Sequence, residues 1–182
     1  MSVRLTDHFR AMARNNAWAN GRLLKACEEL TPSEFIARRV SFFPSLCQTL
    51  NHLLIVDRYY LADLEGTGRV ILENETPYTD LPDLTAAQLE TDRKLIEFCD
   101  RLGEADLERI VTIDRQDGVD YRETVHAILA HLFQHQIHHR GQAHAMLAGT
   151  KIPPPQLDEF FLASDAPRRD EELRQLGVKP IA

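Results

Sequence analysis

Residues 131–140 read HLFQHQIHHR and carry four of the chain's eight histidines, at positions 131, 135, 138 and 139. They sit in a segment from about Glu123 to Ala148 whose apolar residues recur at helical spacing, with Gly149 as its stop. Place Leu132 at zero and turn roughly 100° per residue; Val125, Ile128, Leu129, Ala143, Met146 and Leu147 then fall within about 60° of it. His139 lies at roughly −20° and His135 at roughly −60°, inside this apolar stripe. His131 and His138 land on its flank, near about −100° and −120°, while His126 and His144 fall outside the stripe on the other side, near about +120°. The spacing therefore predicts a helix that buries one face and turns His135 and His139 inward, at i and i+4.

That pairing has chemical content. Side chains four apart on a helix lie one above the other, with Cβ atoms about 5–6 Å apart. Two imidazoles so placed can both reach one ion at about 2.0–2.1 Å. A third ligand must come from another helix, and His52 in TLNHLL, at the edge of the second helix's stripe, is the candidate. The plainer reading is a pair of hydrogen-bonded core histidines, or a pair flanking a buried water. His131 and His135 share the spacing but aim less well inward. A carboxylate-bridged di-iron site would need two inward Glu-x-x-His pairs. The pair Glu123 and His126 points away from the stripe.

Outward from this helix, three more amphipathic segments appear. A first helix is expected from about Val3 to Leu30, with Leu5, Phe9, Met12, Leu23, Cys27 and Leu30 on one stripe and Thr31-Pro32 as its stop. Asn16 and Asn20 interrupt that stripe, and Trp18 falls off it, at a dimer interface or half exposed. A loop with a short turn follows. A second helix runs from Pro44-Ser45 to about Leu64, ended by Glu65-Gly66-Thr67-Gly68. Arg69 to Leu84 reads as a crossing loop. Thr85-Ala86-Ala87-Gln88 reads as a capping box opening a third helix that ends near Gly103. Ile110, Val111 and Ile113, then Gln116-Asp117-Gly118, predict a small hairpin before the last helix. After Gly149 come three prolines, a turn with Leu157, Phe160 and Phe161, and a charged tail expected to fray. Four long amphipathic segments and little strand make this an all-α chain, read as one domain over 1–182.

Composition removes several function classes. The net charge is −7, and no Lys/Arg cluster stands out, so neither nucleic acid nor an anionic membrane surface would attract the chain. No apolar run is long enough to span a bilayer, and MSVRLTDHFR is too charged for a signal peptide. The cysteines, Cys27, Cys47 and Cys99, are too far apart for a zinc knuckle and read as reduced core residues of a cytoplasmic protein.

HLFQHQIHHRGQ, TLNHLLIVDRYYL, the early MARNNAWANGRLL and Pro154-Pro155-Gln156-Leu157-Asp158 together resemble the DinB family of YfiT-like metalloenzymes, over roughly residues 5 to 162. The resemblance implies an up-down-down-up four-helix bundle, often a homodimer. It implies one divalent ion, variously zinc, nickel or iron, held by His52, His135 and His139. Some characterised relatives are thiol S-transferases or isomerases that use a low-molecular-weight thiol.

Three neutral imidazoles leave coordination positions open, as in a catalytic site. An ion there lowers the pKa of a bound water or thiol, which supports hydrolysis or S-transfer on a small electrophilic substrate. Asn16 and Asn20 are expected to partner the imidazoles, or each other. Asp57 could orient a ligand or act as a base, though an ion pair with Arg140 is the simpler account. Tyr60, with Tyr59, could donate into the pocket, and Asp57, Tyr60 and Asn16 are the catalytic candidates. Gly141 is expected to let a neighbouring helix approach closely. The alternatives are a non-catalytic metal-binding bundle and a dimeric interaction protein.

Overall fold

The computed structural model describes residues 4–68, 74–114 and 119–181. Four long helices make up most of it: α1 (Leu5–Cys27), α3 (Leu46–Glu65), α4 (Leu81–Arg101) and α5 (Val125–Ala148), with the short α2 (Pro32–Ile36) and α6 (Ala166–Gln175) between and after them. A two-stranded antiparallel sheet, β1 (Ile110–Asp114) and β2 (Asp120–Thr124), precedes α5, in register from Ile110 opposite Thr124 to Asp114 opposite Asp120. The β-branched run thus pairs as its pattern predicts. The expected turn at Gln116-Asp117-Gly118 and the expected helix start at Val3 lie outside the described residues.

Local chemistry sets the ends. Ser45 Oγ accepts from the Gln48 N–H, and Thr124 Oγ1 from the Ala127 N–H, each satisfying an otherwise orphaned helix donor. Gly66 closes α3 at φ 66°, a conformation that a side chain resists. Thr31 forms a capping box with Glu34, so Thr31-Pro32 opens α2 in addition to following α1, which ends at Cys27. The third long helix begins four residues before the expected position. Asp80 caps the Asp83 N–H and Pro82 sits in the first turn. Thr85 and Gln88 are therefore helix interior, and Gln88 is buried.

α1 packs chiefly on α4, and α3 on α5. The apolar interior forms two clusters. One holds Phe9, Ala13, Leu64, Leu95, Leu129 and Leu132 among others. The second holds Leu23, Leu46, Leu54, Leu84, Ala143 and Leu147. Each long helix passes from one cluster to the other, α1 and α5 in one sense of the chain, α3 and α4 in the opposite sense.

The tail corrects two expectations. It does not fray: α6 lies against α1 and buries Leu173 and Arg169. Trp18 is not half exposed but 1% exposed, edge-on to Phe160 at 5.4 Å. Its indole N–H donates to Glu172, which also takes both arms of Arg22 at 2.8 Å. The side of α1 that looked like a free face is covered by the chain's own C-terminal helix. Gly141 is corrected as well. It is exposed, and an added Cβ there would meet nothing within 4 Å, so it permits no close helix approach.

Candidate metal centre

α3 supplies His52 and α5 supplies His135 and His139, one turn apart on the inward face. His52 Nε2 and His135 Nε2 lie 3.0 Å apart. Ring centroids are separated by 4.9 Å (52–135), 4.6 Å (52–139) and 4.4 Å (135–139). One nitrogen from each ring can be chosen so that all lie within 4.8 Å of one another. Two nitrogens bound to one ion at about 2.05 Å in a tetrahedron would sit roughly 3.3 Å apart. The 52–135 pair is already near that separation, and the donor set suits a borderline divalent ion.

The surroundings keep these rings neutral, the form that ligates. Burial, and then the neighbouring His139, pushes His52 down to about 4. Burial, with the other histidines adding to it, pushes His135 down to about 3. His139 is lowered as well, again chiefly by burial. Gln142 fixes the tautomer of His139. Its amide oxygen accepts from Nδ1 at 2.9 Å, leaving the Nε2 lone pair for a ligand role, and its amide nitrogen donates to His138. Gln142 stands three residues beyond His139, and that spacing was the available signal for this partner. The Nδ1 of His135 is sealed and has no partner among the described residues.

One flank is aromatic. The Phe43 ring lies 4.4 Å from His52 and 5.5 Å from His139, and Phe42, 77% exposed, lies 6.3 Å from His139. Beside His52 opens a cavity of about 300 Å³, walled by Phe43, Gln48, Ile55, Val56, Glu75 and Thr76. The other histidines stay out of the cluster. His131 is exposed, with Tyr60 edge-on to it at 5.4 Å, and His126 is exposed beside Thr124. His144 bonds the Pro155 carbonyl at 3.0 Å.

Asn16, Asn20 and Asp57 lie elsewhere than expected. With Gln88, Asp92, Gln136 and Arg140 they form a buried hydrogen-bonded layer that draws on all four long helices. Asp92 accepts from Asn16, Asn20 and Gln88 at 3.0–3.2 Å. Arg140 Nη1 donates to the side-chain oxygens of Asn16, Asn20 and Gln136, and Gln88 donates to Asp57 at 3.0 Å. Gln136 donates to the Leu53 carbonyl. No hydrogen bond joins Asn16, Asn20 or Asp57 to the three histidines among the described residues. The direct Asp57–Arg140 ion pair does not form either. Amides separate the two charges, because each amide can satisfy a donor and an acceptor at once. Desolvation pushes Asp57 up to about 8, helped by the charge of Asp92, and Asp92 itself up to about 6. Burial thus favours the neutral form of both carboxyls, and the Arg140 cation opposes that shift in each.

The cysteines are free and buried. Burial pushes the thiols of Cys27 and Cys99 up to about 12, which makes them poor nucleophiles. No helix among the described residues is long and apolar enough to cross a membrane.

Comparison with known proteins places these features. The profile described as "DinB family" matches residues 1–171. An uncharacterized protein of Bacillus subtilis (strain 168), YizA, is 23% identical over 128 residues, which is 70% of this chain and 79% of that protein. The crystal structure of a DinB-like protein from Bacillus cereus ATCC 10987 superposes with a TM-score of 0.59 at 16% identity, covering 76% of this chain and 90% of that one. A DinB-like protein from Bacillus subtilis, YjoA, gives 0.55 at 16% identity, covering 78% and 95%. These two likenesses show a shared fold.

Proposed function

The chain belongs to the DinB family, and from that premise we propose that it is a metal-dependent enzyme whose single divalent ion is held by His52, His135 and His139. The observation that carries the reading is the convergence of these neutral rings, from two helices, within 4.8 Å. The cavity beside His52 favours catalysis over a sealed structural site, since a reactant needs an open flank. Its walls, largely Phe43, Ile55 and Val56, suit a small electrophile with an apolar body.

Held by these three rings, a zinc, nickel or iron ion would supply the acidification of a water or a low-molecular-weight thiol, the chemistry of a hydrolase or a thiol S-transferase. The protein's own part is placement. Gln142 holds the His139 tautomer, and Phe43 closes one side against water. Asn16 and Asp57 act as positioning residues from the polar layer, holding α5 in place against α1, α3 and α4. Tyr60 orients His131 at the edge of the site. In this reading the long helices form an up-down-down-up four-helix bundle, supported by the opposite senses in which they pass between the two apolar clusters. The protein works as a cytoplasmic homodimer and has no nucleic-acid or membrane partner.

The test is elemental analysis of the purified protein and of the triple variant His52→Ala/His135→Ala/His139→Ala. One ion per chain, lost in the variant, is expected. An ion retained by the variant would refute the assignment. A panel of thiols with small electrophiles, and of small esters and amides, then separates S-transfer from hydrolysis. Catalysis that persists in the triple variant would place the chemistry elsewhere.

A further inference from the structure

Arg140 is 4% exposed, and every hydrogen bond it makes among the described residues comes from Nη1. Nε and Nη2 have no protein partner there, yet they are not among the sealed, unpartnered polar atoms. They therefore reach solvent. The space that Arg140 lines is a cavity of about 500 Å³ between α1, α5 and the segment after α5. Asn15 lines the same cavity, is 7% exposed, and makes no side-chain hydrogen bond among the described residues. Two buried polar side chains with unused donors thus meet in one hollow. Its walls are Ile137, Leu157 and Phe161, and Asp158 stands exposed on it. His144 holds the wall in place through the Pro155 carbonyl.

We propose that this cavity is a second ligand site, which binds a small monocarboxylate with an apolar body. The carboxylate pairs with the free edge of Arg140 and takes the Asn15 amide as a further donor. A guanidinium edge matches a carboxylate in shape and charge, and its other edge is already held rigid by the polar layer. The apolar body lies on Ile137, Leu157 and Phe161. Asp158 repels a second negative charge, so dicarboxylates bind less well. The size suits a molecule of a dozen or so heavy atoms. The site needs no ion at the histidines.

The probes are 3-phenylpropionate, phenethylamine and phenylsuccinate, titrated calorimetrically against the full chain. 3-Phenylpropionate is expected to bind saturably, phenethylamine not at all, and phenylsuccinate more weakly. Changing Arg140 would break the polar layer, so two gentler variants serve. Gly141→Leu fills the hollow from an exposed helix position where a side chain has room, and it should abolish binding. Asn15→Leu should weaken it roughly tenfold, the worth of one hydrogen bond to a charged group. Both should keep native circular dichroism and metal content. No saturable binding of 3-phenylpropionate, equal binding of the amine, or undiminished binding by Gly141→Leu would each overturn the proposal.

Discussion

His52 and His135 meet Nε2 to Nε2 at 3.0 Å, although 83 residues separate them in the chain. Without an ion, one ring must offer its N–H and the other its lone pair. With an ion between them, both Nε2 lone pairs would be used, and the ring that donated its Nε2 proton would carry it on Nδ1 instead. His135→Ala should therefore lower metal affinity by more than about 100-fold, beyond what an outer partner contributes. Gln142→Ala should cost about 10-fold to 100-fold, because it frees only the His139 tautomer. Competition with a chelator of known affinity measures both. Equal losses in the two variants would mean that His135 is no ligand.

Asp57 sets a pH dependence of stability. Its carboxyl is pushed up to about 8 in the fold, against about 3.9 in an unfolded chain. The folded state then binds the extra proton, so this group's stabilisation is full below the unfolded value and is lost as pH rises through about 8. The histidines act oppositely, but only below about 6.5, since their values are lowered. Between roughly pH 6.5 and 8 the metal-free protein should lose on the order of 1 kcal/mol of stability per pH unit. Asp57→Asn should flatten that slope. Urea denaturation across the range is the measurement, and an unchanged slope in the variant would contradict the assignment.

The segment between α5 and α6 contributes to the interior. Phe160 is fully buried against Trp18. Phe160→Ala should cost about 3–5 kcal/mol by removing buried surface and leaving a cavity. Denaturant unfolding with tryptophan fluorescence reports it directly, since Trp18 is the chain's single tryptophan. A change under 1 kcal/mol would show that the segment before α6 packs only loosely on α1.

Two glycines should respond with opposite signs. Gly66 sits at φ 66°, so alanine there should cost about 1 kcal/mol although nothing blocks its Cβ. Gly141 lies within α5, exposed and with open space, so alanine should stabilise by up to about 1 kcal/mol. Thermal melts of the two variants, run side by side, check the signs.

What could be read beforehand was what a single helix wheel or a short spacing encodes. His135 and His139 fell on the inward stripe, His131 and His138 off it, and the structure agrees. The hairpin strands followed from β-branched residues next to a turn signal. Other features depended on partners far away in the chain. Trp18 looked exposed because the helix that covers it carries mostly charged residues and lies about 150 positions later. Asn16 and Asn20 plainly needed partners, but Asp92 and Arg140 sit on other helices, and no local rule pairs them. The start of α4 was misread because Thr85 to Gln88 mimics a cap, while the working signal was Asp80 with Pro82.

The polar layer acts as an alignment gauge. An interior lined only with leucine would tolerate a helix sliding by one turn, about 5.4 Å, since one aliphatic contact replaces another. Here such a slip would press an amide, a carboxyl or the Arg140 cation against hydrocarbon, at a cost of several kcal/mol. The helices are thereby indexed to well under one turn. Imidazoles that must share an ion tolerate errors of only a few tenths of an ångström, and they inherit that indexing from the layer.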